Sequence, residues 1–521
     1  MRSKFFNPEI VIWLIIACLW IYFSFFHGFD DDEFQHCHNA YLIWKGLTPY
    51  KNFFEHHLPL YHIIFSPFFF LGEKPSTIFL FRFLSLICSG NAFLILYRHL
   101  KENYGTIALF CLALLAFVPM YLFKMTEARP ESVAILFFVS ALTYVFSQNS
   151  EKHDIFFAGA LSGLMVCLSL KYVYAWVGLC ASCFVLKKKT LGVYFVAGFL
   201  TGIFPLFFYI LTKGIFPEFI KCVLVTNAKW KYSFSPAGYL YELFMTAGVI
   251  AGCAISGIIG DFLVKESRRK ALSGSLLFFG CFLGVVLVPV PYRQSFLPLI
   301  VACVFCSLPF VKEFFQLIQD KRIKFAVAMI IFLCATSNSL IAIKNEIPQT
   351  NFMDLQTMKK VDEISPGTPF FDGRALMFYR MHTGYYGFMH HELLQMLDAD
   401  EYSSHIIEAI KSNNFPVVIY DYRVKQMPAK IQHFIQSHYF LAAEPDIYMP
   451  GVKIDRAQFI EGRSDFEINV AGWYVVSFTG EDLLIDDTPV KSGDIRFFEI
   501  GIHTAKSAKF IDDLTVVLRK R

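Results

Sequence analysis

The sequence predicts a mainly α-helical, polytopic membrane bundle followed by a soluble α/β and β-sandwich region. Its composition is 55% hydrophobic and only 17% charged, whereas a soluble domain is usually about 25% charged. The charges are also unevenly distributed, because residues 1–343 consist of apolar runs with short polar breaks and residues 344–521 carry charges every few positions. We therefore expect a transmembrane domain over 1–343 and a water-soluble part after it.

Eleven apolar segments are candidate membrane spans, since a spanning helix needs about 20 largely apolar residues. They cover residues 8–26, 76–97, 105–123, 132–147, 154–170, 172–187, 190–211, 239–261, 271–288, 294–311 and 325–343. The shorter apolar segment 58–71 contains Pro59 and Pro67. We expect an interfacial or partly inserted helix there.

The basic residues indicate the orientation of these spans, because cytoplasmic loops are enriched in Lys and Arg. With eleven spans and a cytoplasmic N-terminus, the clusters at 187–189, 265–270 and 321–324 all lie inside. Counting 58–71 as a full span would move nearly all of them outside. We therefore predict a multi-pass protein of the inner (plasma) membrane whose C-terminal part is periplasmic or otherwise extracytoplasmic.

The soluble part divides into two predicted domains. Residues 344–451 predict a periplasmic α/β domain. Its expected strands and helices are Thr368–Asp372, Pro416–Tyr422, Ser404–Asn413 and Ala429–Ser437. Residues 452–521 contain short apolar runs separated by Gly/Asp turns and predict a β-sandwich-like accessory domain. The net charge of +4 gives no argument for a nucleic-acid partner.

The long loop between the first two predicted spans contains two groups of acids and histidines. They are Asp32, Glu33 and His36 at the end of the first span, and Glu55, His56 and His57 further along. Any one of these residues is adequately explained as a solvated loop residue, but two such groups flanked by aromatic residues at the membrane surface favour a functional site. The side chains are also metal-ligand types. Because their spacing matches no strong metal motif, we predict no required cofactor and keep a divalent cation as an alternative.

A second acidic group, Glu127, Arg129 and Glu131, lies between the third and fourth predicted spans. The helix dipole favours an anion such as Glu131 in a first turn. It does not explain several ionisable residues at membrane depth, where they are costly and tend to be functional. Lys171 and Arg293 lie in predicted outer turns. Arg offers a planar fork of donors to phosphate and Lys a point charge, so we predict that Arg129, Lys171 and Arg293 bind a phosphate.

The first loop resembles that of the GT-C membrane glycosyltransferases. The similar pattern is Asp32-Glu33, His36, an aromatic and aliphatic helix, Gly46, Pro49-Tyr50, Phe53-Phe54-Glu55-His56-His57 and Pro59-Leu60. The most similar groups are the aminoarabinose lipid A transferases and the protein O-mannosyltransferase-like enzymes. The resemblance covers about the first 340 residues and implies a GT-C-like fold for residues 1–343.

The resemblance also implies residue roles. Asp32, with Glu33 beside it, matches the catalytic acid at the end of the first helix in that family, and Glu131 matches a second acid that faces the active site. His57 stands where related transferases have a lysine that meets the lipid phosphate, so it would bind the phosphate as a cation or a hydrogen-bond donor. Arg293 matches a position near the outer end of a late helix.

Together these features predict an inverting hexosyl or pentosyl transferase that moves a sugar from a polyprenyl-phosphate donor to a hydroxyl of a glycolipid, polysaccharide or protein. A carboxylate takes the proton of the hydroxyl, and cations stabilise the departing phosphate. We expect His36, Glu55 and His56 to contact the substrates. Two alternatives stay open. A flippase or transporter of lipid-linked saccharides would favour charges in mid-helix and internal repeats, and a non-catalytic membrane scaffold would leave the loop acids unexplained.

Overall fold

The computed structural model describes residues 8–230, 236–480, 482–507 and 511–519. Within it the chain forms two compact units. The first comprises Met1–Glu33, Glu55–Pro67 and Ser76–Asn351, and the second comprises Phe34–Phe54, Phe68–Pro75 and Phe352–Arg521. The long loop after the first helix is therefore divided between the two units.

The first unit is helical, as the long apolar runs predict. Ten of the eleven predicted spans each coincide with one helix, and the span 105–123 coincides with two consecutive helices. The helices up to residue 346 are α1 (Pro8–Phe25), α2 (Asp31–Trp44), α3 (Leu60–Phe65), α4 (Thr77–Tyr104), α5 (Thr106–Ala116), α6 (Pro119–Thr126), α7 (Pro130–Phe146), α8 (Lys152–Leu168), α9 (Val173–Leu186), α10 (Lys189–Lys213), α11 (Phe216–Phe219), α12 (Thr226–Lys229), α13 (Pro236–Leu263), α14 (Arg268–Val286), α15 (Leu297–Gln316) and α16 (Lys321–Glu346). α2 begins in the first unit and ends in the second. The segment 58–71 forms the short α3 followed by a 3₁₀ turn.

Six helical stretches of the described chain are long and apolar enough to cross a membrane. They are Thr77–Tyr104, Lys189–Lys213, Ala237–Leu263, Lys265–Val286, Arg293–Gln316 and Lys321–Glu346. The pair α5 and α6, bent by 77°, is a seventh candidate. The other predicted spans form shorter helices, so the expected number of about eleven full-length spans exceeds the number of long helices. The prediction of a polytopic membrane bundle is confirmed, and the chain is a multi-pass membrane protein.

Glycines allow α8 and α10 to pack closely. A Cβ atom at Gly159 would lie 2.0 Å from the carbonyl oxygen of Phe195, and one at Gly198 would lie 1.9 Å from that of Phe156. Small residues at such contacts let helix backbones approach each other in a membrane. The backbones of α8 and α10 are therefore in direct contact.

The second unit combines helices with two sheets. Its remaining elements are α17 (Phe352–Ile364), β1 (Phe370–Phe371), α18 (His391–Leu394), α19 (Ala399–Ser412), β2 (Val417–Ile419), α20 (Ala429–His438), β3 (Tyr439–Ala443), β4 (Ile447–Ile454), β5 (Arg463–Ile468), β6 (Gly472–Gly480), β7 (Leu483–Ile485), β8 (Thr488–Val490), β9 (Ile495–Phe498), β10 (Gly501–Ser507) and β11 (Ile511–Leu518). The larger sheet has the order β1-β2-β4-β11-β6-β9 with β3 paired to β4, and the smaller has the order β5-β10-β7-β8. β1 and β2 are parallel, and the other described pairs are antiparallel. The C-terminal sheet region predicted from the sequence is confirmed.

The structure places the boundaries differently from the predicted positions at 343 and 451. The side chain of Asn351 donates to the backbone carbonyl of Phe25 (2.9 Å), and the first unit continues to Asn351. β4 crosses the second predicted boundary and pairs with β11 in the larger sheet. A division at 451 would cut this strand, because the regions 344–451 and 452–521 share one sheet.

Two segments of the first loop belong to the second unit because they bond to its C-terminal part. The backbone N–H of Phe54 donates to the carbonyl of Tyr385 (2.8 Å). The hydroxyl of Tyr385 in turn donates to the carbonyl of Tyr50 (2.6 Å). These contacts join residues more than 300 positions apart, which local sequence patterns do not indicate.

Candidate active site

Arg129 lies at the centre of a group of carboxylates at the start of α7. It precedes Pro130, the first helical residue, and its backbone is extended there (φ −135°, ψ 151°). Only 2% of its side chain is exposed. Its guanidinium nitrogens lie 2.5 Å from Asp32 Oδ2, 3.1 Å from Asp30 Oδ1, 3.1 Å from Glu127 Oε2 and 3.7 Å from Glu131 Oε2. Acids of the first loop and acids around α7 therefore converge on one cation.

Lys124, near the end of α6, supplies a second cation to this group. Its Nζ lies 2.7 Å from Asp30 Oδ2 and 2.9 Å from Glu127 Oε2. Burial acts to raise the pKa of Asp30, but the charges of Lys124 and Arg129 outweigh it and lower this pKa to about 2. Burial raises the pKa of Glu127 in spite of the same two cations. Lys124 and Arg129 thus face four acids, Asp30, Asp32, Glu127 and Glu131. These six residues are called the Arg129 group below.

The four carboxylates differ in accessibility. Side-chain exposure is 34% for Asp30 and 21% for Asp32, against 5% for Glu127 and 4% for Glu131. Asp30 divides its two oxygens between Lys124 and Arg129. Asp30 and Asp32 are therefore the two acids of the group that solvent reaches, and Arg129 contacts both.

Glu33 is fully buried in an ion pair. Its carboxylate oxygens bind Arg82 of α4 at 2.5 and 2.7 Å, and one of them also accepts the backbone N–H of Ala128 (2.7 Å). Arg82 donates further to the backbone carbonyl of Gly28 (2.8 Å). This position does not fit the predicted catalytic role, because both oxygens are engaged inside the protein. Glu33 instead ties the start of α2 to α4 and to the turn before α7.

Replacing Arg82 by Met should strongly destabilise the protein, because it leaves Glu33 buried without its cationic partner. Breaking a buried pair in this way costs about 3–5 kcal/mol. Thermal unfolding of the detergent-purified protein measures the loss. The double variant Arg82→Met/Glu33→Gln should recover part of it. If Arg82→Met unfolds at the wild-type temperature, the structural role of this pair is wrong.

His57 lies within the electrostatic range of the same group of charges. Burial and the positive charge of Lys171 lower the pKa of His57 to about 4, against the opposing effect of Asp32 and Glu131. The ring Nδ1 lies 2.7 Å from Glu55 Oε1. Since the carboxylate can only accept, Nδ1 carries the proton, and the neutral ring has its lone pair on Nε2. A neutral ring favours neither form of the predicted phosphate contact, since its N–H already faces Glu55; the role of His57 as a cation or hydrogen-bond donor to the phosphate stays a prediction.

Glu55, His56 and His57 are also the described residues that could hold a metal ion. One ligand atom from each lies within 4.8 Å of the others, and their types suit a divalent cation. Glu55 Oε1 accepts the backbone N–H groups of His56 (2.8 Å) and His57 (2.7 Å). The ring of His56 stacks on Trp230 with centroids 4.8 Å apart. The three side chains are of types that bind a metal. Hydrogen bonds and ring stacking hold these side chains in place without one.

Comparison with known proteins identifies the fold. No protein-family model and no curated protein matches the sequence. ArnT from Cupriavidus metallidurans bound to undecaprenyl phosphate superposes with a TM-score of 0.56 at 12% identity, over 84% of this chain and 96% of that chain; its apo state gives 0.55 at 11% identity over the same shares. The apo Archaeoglobus fulgidus oligosaccharyltransferase superposes with a TM-score of 0.50 at 12% identity, over 84% of this chain and 73% of that chain. Both are GT-C glycosyltransferases. The chain has the GT-C fold.

The GT-C fold agrees with the resemblance of the first loop. Besides Glu33, Glu55 and His56, the predicted site residues Arg293 and His36 also lie outside the Arg129 group. Arg293 Nε binds Glu242 Oε2 of α13 at 3.0 Å. His36 is 1% exposed and belongs to the second unit. In the described part of the chain, no contact joins Arg293 to the carboxylates around Arg129.

Three residues of this charged cluster are not among the site residues that the sequence predicts. Arg82 and Lys124 are isolated cations in or beside apolar segments. Their cost at membrane depth is a usable signal, because such residues tend to be functional or paired. No sequence pattern distinguishes Asp30, because it is one of four consecutive acids. Only the fold shows which of these acids face Arg129.

Proposed function

We propose that this protein is a membrane glycosyltransferase that transfers a sugar from a polyprenyl-phosphate donor to an acceptor hydroxyl. The observation that carries the proposal is the convergence of Asp32 and Glu131, from distant parts of the chain, on Arg129 at the ends of apolar helices. A polyprenyl tail needs an apolar environment, and its phosphate needs cations at the edge of it. The GT-C fold supports the proposal, since the superposed ArnT binds undecaprenyl phosphate.

Asp32 acts as the general base of the proposed reaction. It takes the proton of the acceptor hydroxyl while the hydroxyl oxygen bonds to the anomeric carbon of the sugar. The bond from that carbon to the donor phosphate breaks, and the phosphate leaves with the electron pair. A single displacement inverts the anomeric configuration, so the proposal is an inverting hexosyl or pentosyl transfer. Arg129 positions the Asp32 carboxylate through its 2.5 Å contact.

Lys171 is the cation that we assign to the departing phosphate. The charges of Glu131, Arg129 and Asp32 act on its ammonium, which supports this assignment. Arg129 is surrounded by carboxylates, so we assign it to positioning the acids rather than to the phosphate. Arg293, although paired with Glu242, stays a candidate for the phosphate when a donor is bound.

Donor binding should not require a protonated His57. Because its pKa lies at about 4, the ring is neutral from about pH 6 to 8, and the KM for the donor should change by less than about twofold over this range. A histidine that bound phosphate as a cation would bind more tightly as the pH falls through its ordinary pKa of about 6.5. The measurement is the donor KM of the wild type and of His57→Gln across this range. A KM that falls at low pH in the wild type alone would contradict the neutral ring.

Turnover should persist without a divalent cation, because Lys171 supplies the positive charge that a metal would otherwise supply to the departing phosphate. Treatment with excess EDTA followed by dialysis should change the turnover number by less than about twofold. A metal held by Glu55, His56 and His57 predicts a different result. Activity would be lost on chelation, restored by added divalent cation, and no longer restored in His56→Gln.

We extend the proposal to the surroundings of the site. The protein is placed in the inner membrane with its N-terminus in the cytoplasm and its C-terminal region in the periplasm, so that the Arg129 group faces the periplasm. The acceptor class is a glycolipid, a polysaccharide or a protein. Basic loops at the opposite helix ends support this orientation.

The test uses the full-length protein in lipid nanodiscs. A panel of polyprenyl-phosphate sugars is combined with glycolipid, polysaccharide and peptide acceptors, and mass spectrometry measures free polyprenyl phosphate and the mass gained by the acceptor. Glycolipids and glycoproteins from cells with and without the gene then identify the natural product. Release and transfer that disappear in Asp32→Asn support the proposal. Transbilayer movement of an intact donor without bond cleavage would favour the flippase alternative.

A further inference from the structure

A cavity at the opposite end of the helix bundle is lined by residues that the proposed reaction does not use. Four helices that start near the Arg129 group, α4, α7, α9 and α15, reach it with Leu100, Phe146, Lys187 and Pro309. α7 has 17 residues, which corresponds to about 26 Å. The cavity has a volume of about 700 Å³. It therefore lies at the level where the other leaflet of the membrane meets water.

Charges of both signs line this cavity. The cations are Lys187, Arg269, Lys270 and Lys312, and the acids are Glu102, Asp261 and Glu266. Among the residues that the structure describes, none of these seven side chains forms an ion pair. The lining therefore offers both cations and acids to a ligand.

Two of the cations are held by contacts that keep them at the cavity wall. Lys187 donates to the backbone carbonyl of Ser147. The Lys312 ammonium lies 5.7 Å from the centre of the Tyr104 ring, within cation–π range. Buried apolar side chains such as Leu100, which is 1% exposed, line part of the cavity. The cavity thus joins apolar walls to fixed charges, as a lipid headgroup site requires.

We propose that this cavity binds the headgroup of an aminophospholipid, with the phosphate at the cations and the amine at the acids. Cationic pockets between membrane helices bind the phosphates of lipid headgroups, and Arg and Lys suit phosphate oxygens. A phosphate alone would match the cations of the lining and offer nothing to its acids, Asp261, Glu102 and Glu266. A phosphoethanolamine headgroup matches both signs, so phosphatidylethanolamine is the lipid that fits best. This site does not depend on the proposed transfer reaction.

Native mass spectrometry of the full-length, delipidated protein tests the proposal. Phosphatidylethanolamine, phosphatidylglycerol and soluble phosphoethanolamine are titrated separately. We expect one phosphatidylethanolamine to bind to the wild type, and binding to weaken at least about tenfold in Arg269→Ala/Lys270→Ala/Lys312→Ala. The matched control, Lys321→Ala/Arg322→Ala/Lys324→Ala, removes three charges from the start of α16, outside the cavity, and should bind like the wild type.

Asp261→Asn provides a second measurement with a smaller change to the protein. It should reduce the preference for phosphatidylethanolamine over phosphatidylglycerol while phosphate-dependent binding persists. Equal weakening of lipid binding in the two triple variants would show unspecific attraction to basic residues, and this result would overturn the proposal. A wild-type protein that binds no phospholipid would also overturn it. Soluble phosphoethanolamine binding as tightly as the lipid would overturn the lipid assignment and give the cavity to a soluble phosphate ester.

Discussion

Replacing Asp32 by Asn should lower the turnover number by about 10²- to 10⁴-fold, the contribution of a positioned general base, and should leave the donor KM nearly unchanged. Asn has the same size as Asp and its amide oxygen can still accept from Arg129. It cannot take the proton of an acceptor hydroxyl. The turnover number and KM are measured with the donor and acceptor pair that the nanodisc assay identifies.

Asp31→Asn is the matched control for this prediction. Asp31 lies in the same first turn of α2, and it is not one of the carboxylates that contact Arg129 in the described structure. Asp31 is partly buried, and because it is not among the described carboxylates that contact Arg129, its turnover number should stay within about threefold of the wild type. Thermal unfolding of both variants separates loss of chemistry from loss of the fold. Wild-type turnover in Asp32→Asn would remove Asp32 from the catalytic role.

The sequence could indicate Asp32, Arg129 and Glu131 because each lies at the end of an apolar run. Ionisable residues there need a reason, since their cost at membrane depth is high. The sequence could not show that the guanidinium of Arg129 contacts both acids, because that depends on how α2 and α7 approach each other. It also could not separate Asp32 from Glu33, since the two are adjacent and their different surroundings come from Arg82, about 50 residues away.

The division of the chain was harder to predict than its helices. Hydropathy identifies each helix from local composition, and all eleven predicted segments are helical. The assignment of Phe34–Phe54 to the second unit depends on contacts with residues near Tyr385. Likewise, β4 pairs with β11, which joins two regions that their compositions separate. Such long-range pairing leaves no local pattern in a single sequence.

Replacing Arg129 by Gln should both destabilise the protein and abolish turnover. The substitution leaves Glu127 and Glu131 buried without the cation between them, and removing one partner of a buried charge group costs about 3–5 kcal/mol. Arg129→Lys should have an intermediate effect, because one ammonium lacks the planar fork that reaches several carboxylates at once. Thermal unfolding and the turnover number are measured on the same preparations.

The double variant Arg129→Gln/Glu127→Gln separates the two roles of the arginine. Removing one positive and one negative charge restores the balance in the buried group, so the unfolding temperature should return most of the way to that of the wild type. Asp32 still lacks the guanidinium that lies 2.5 Å from its carboxylate, so turnover should stay low. Recovery of turnover together with stability would mean that Arg129 only supports the fold, and that another group positions the base.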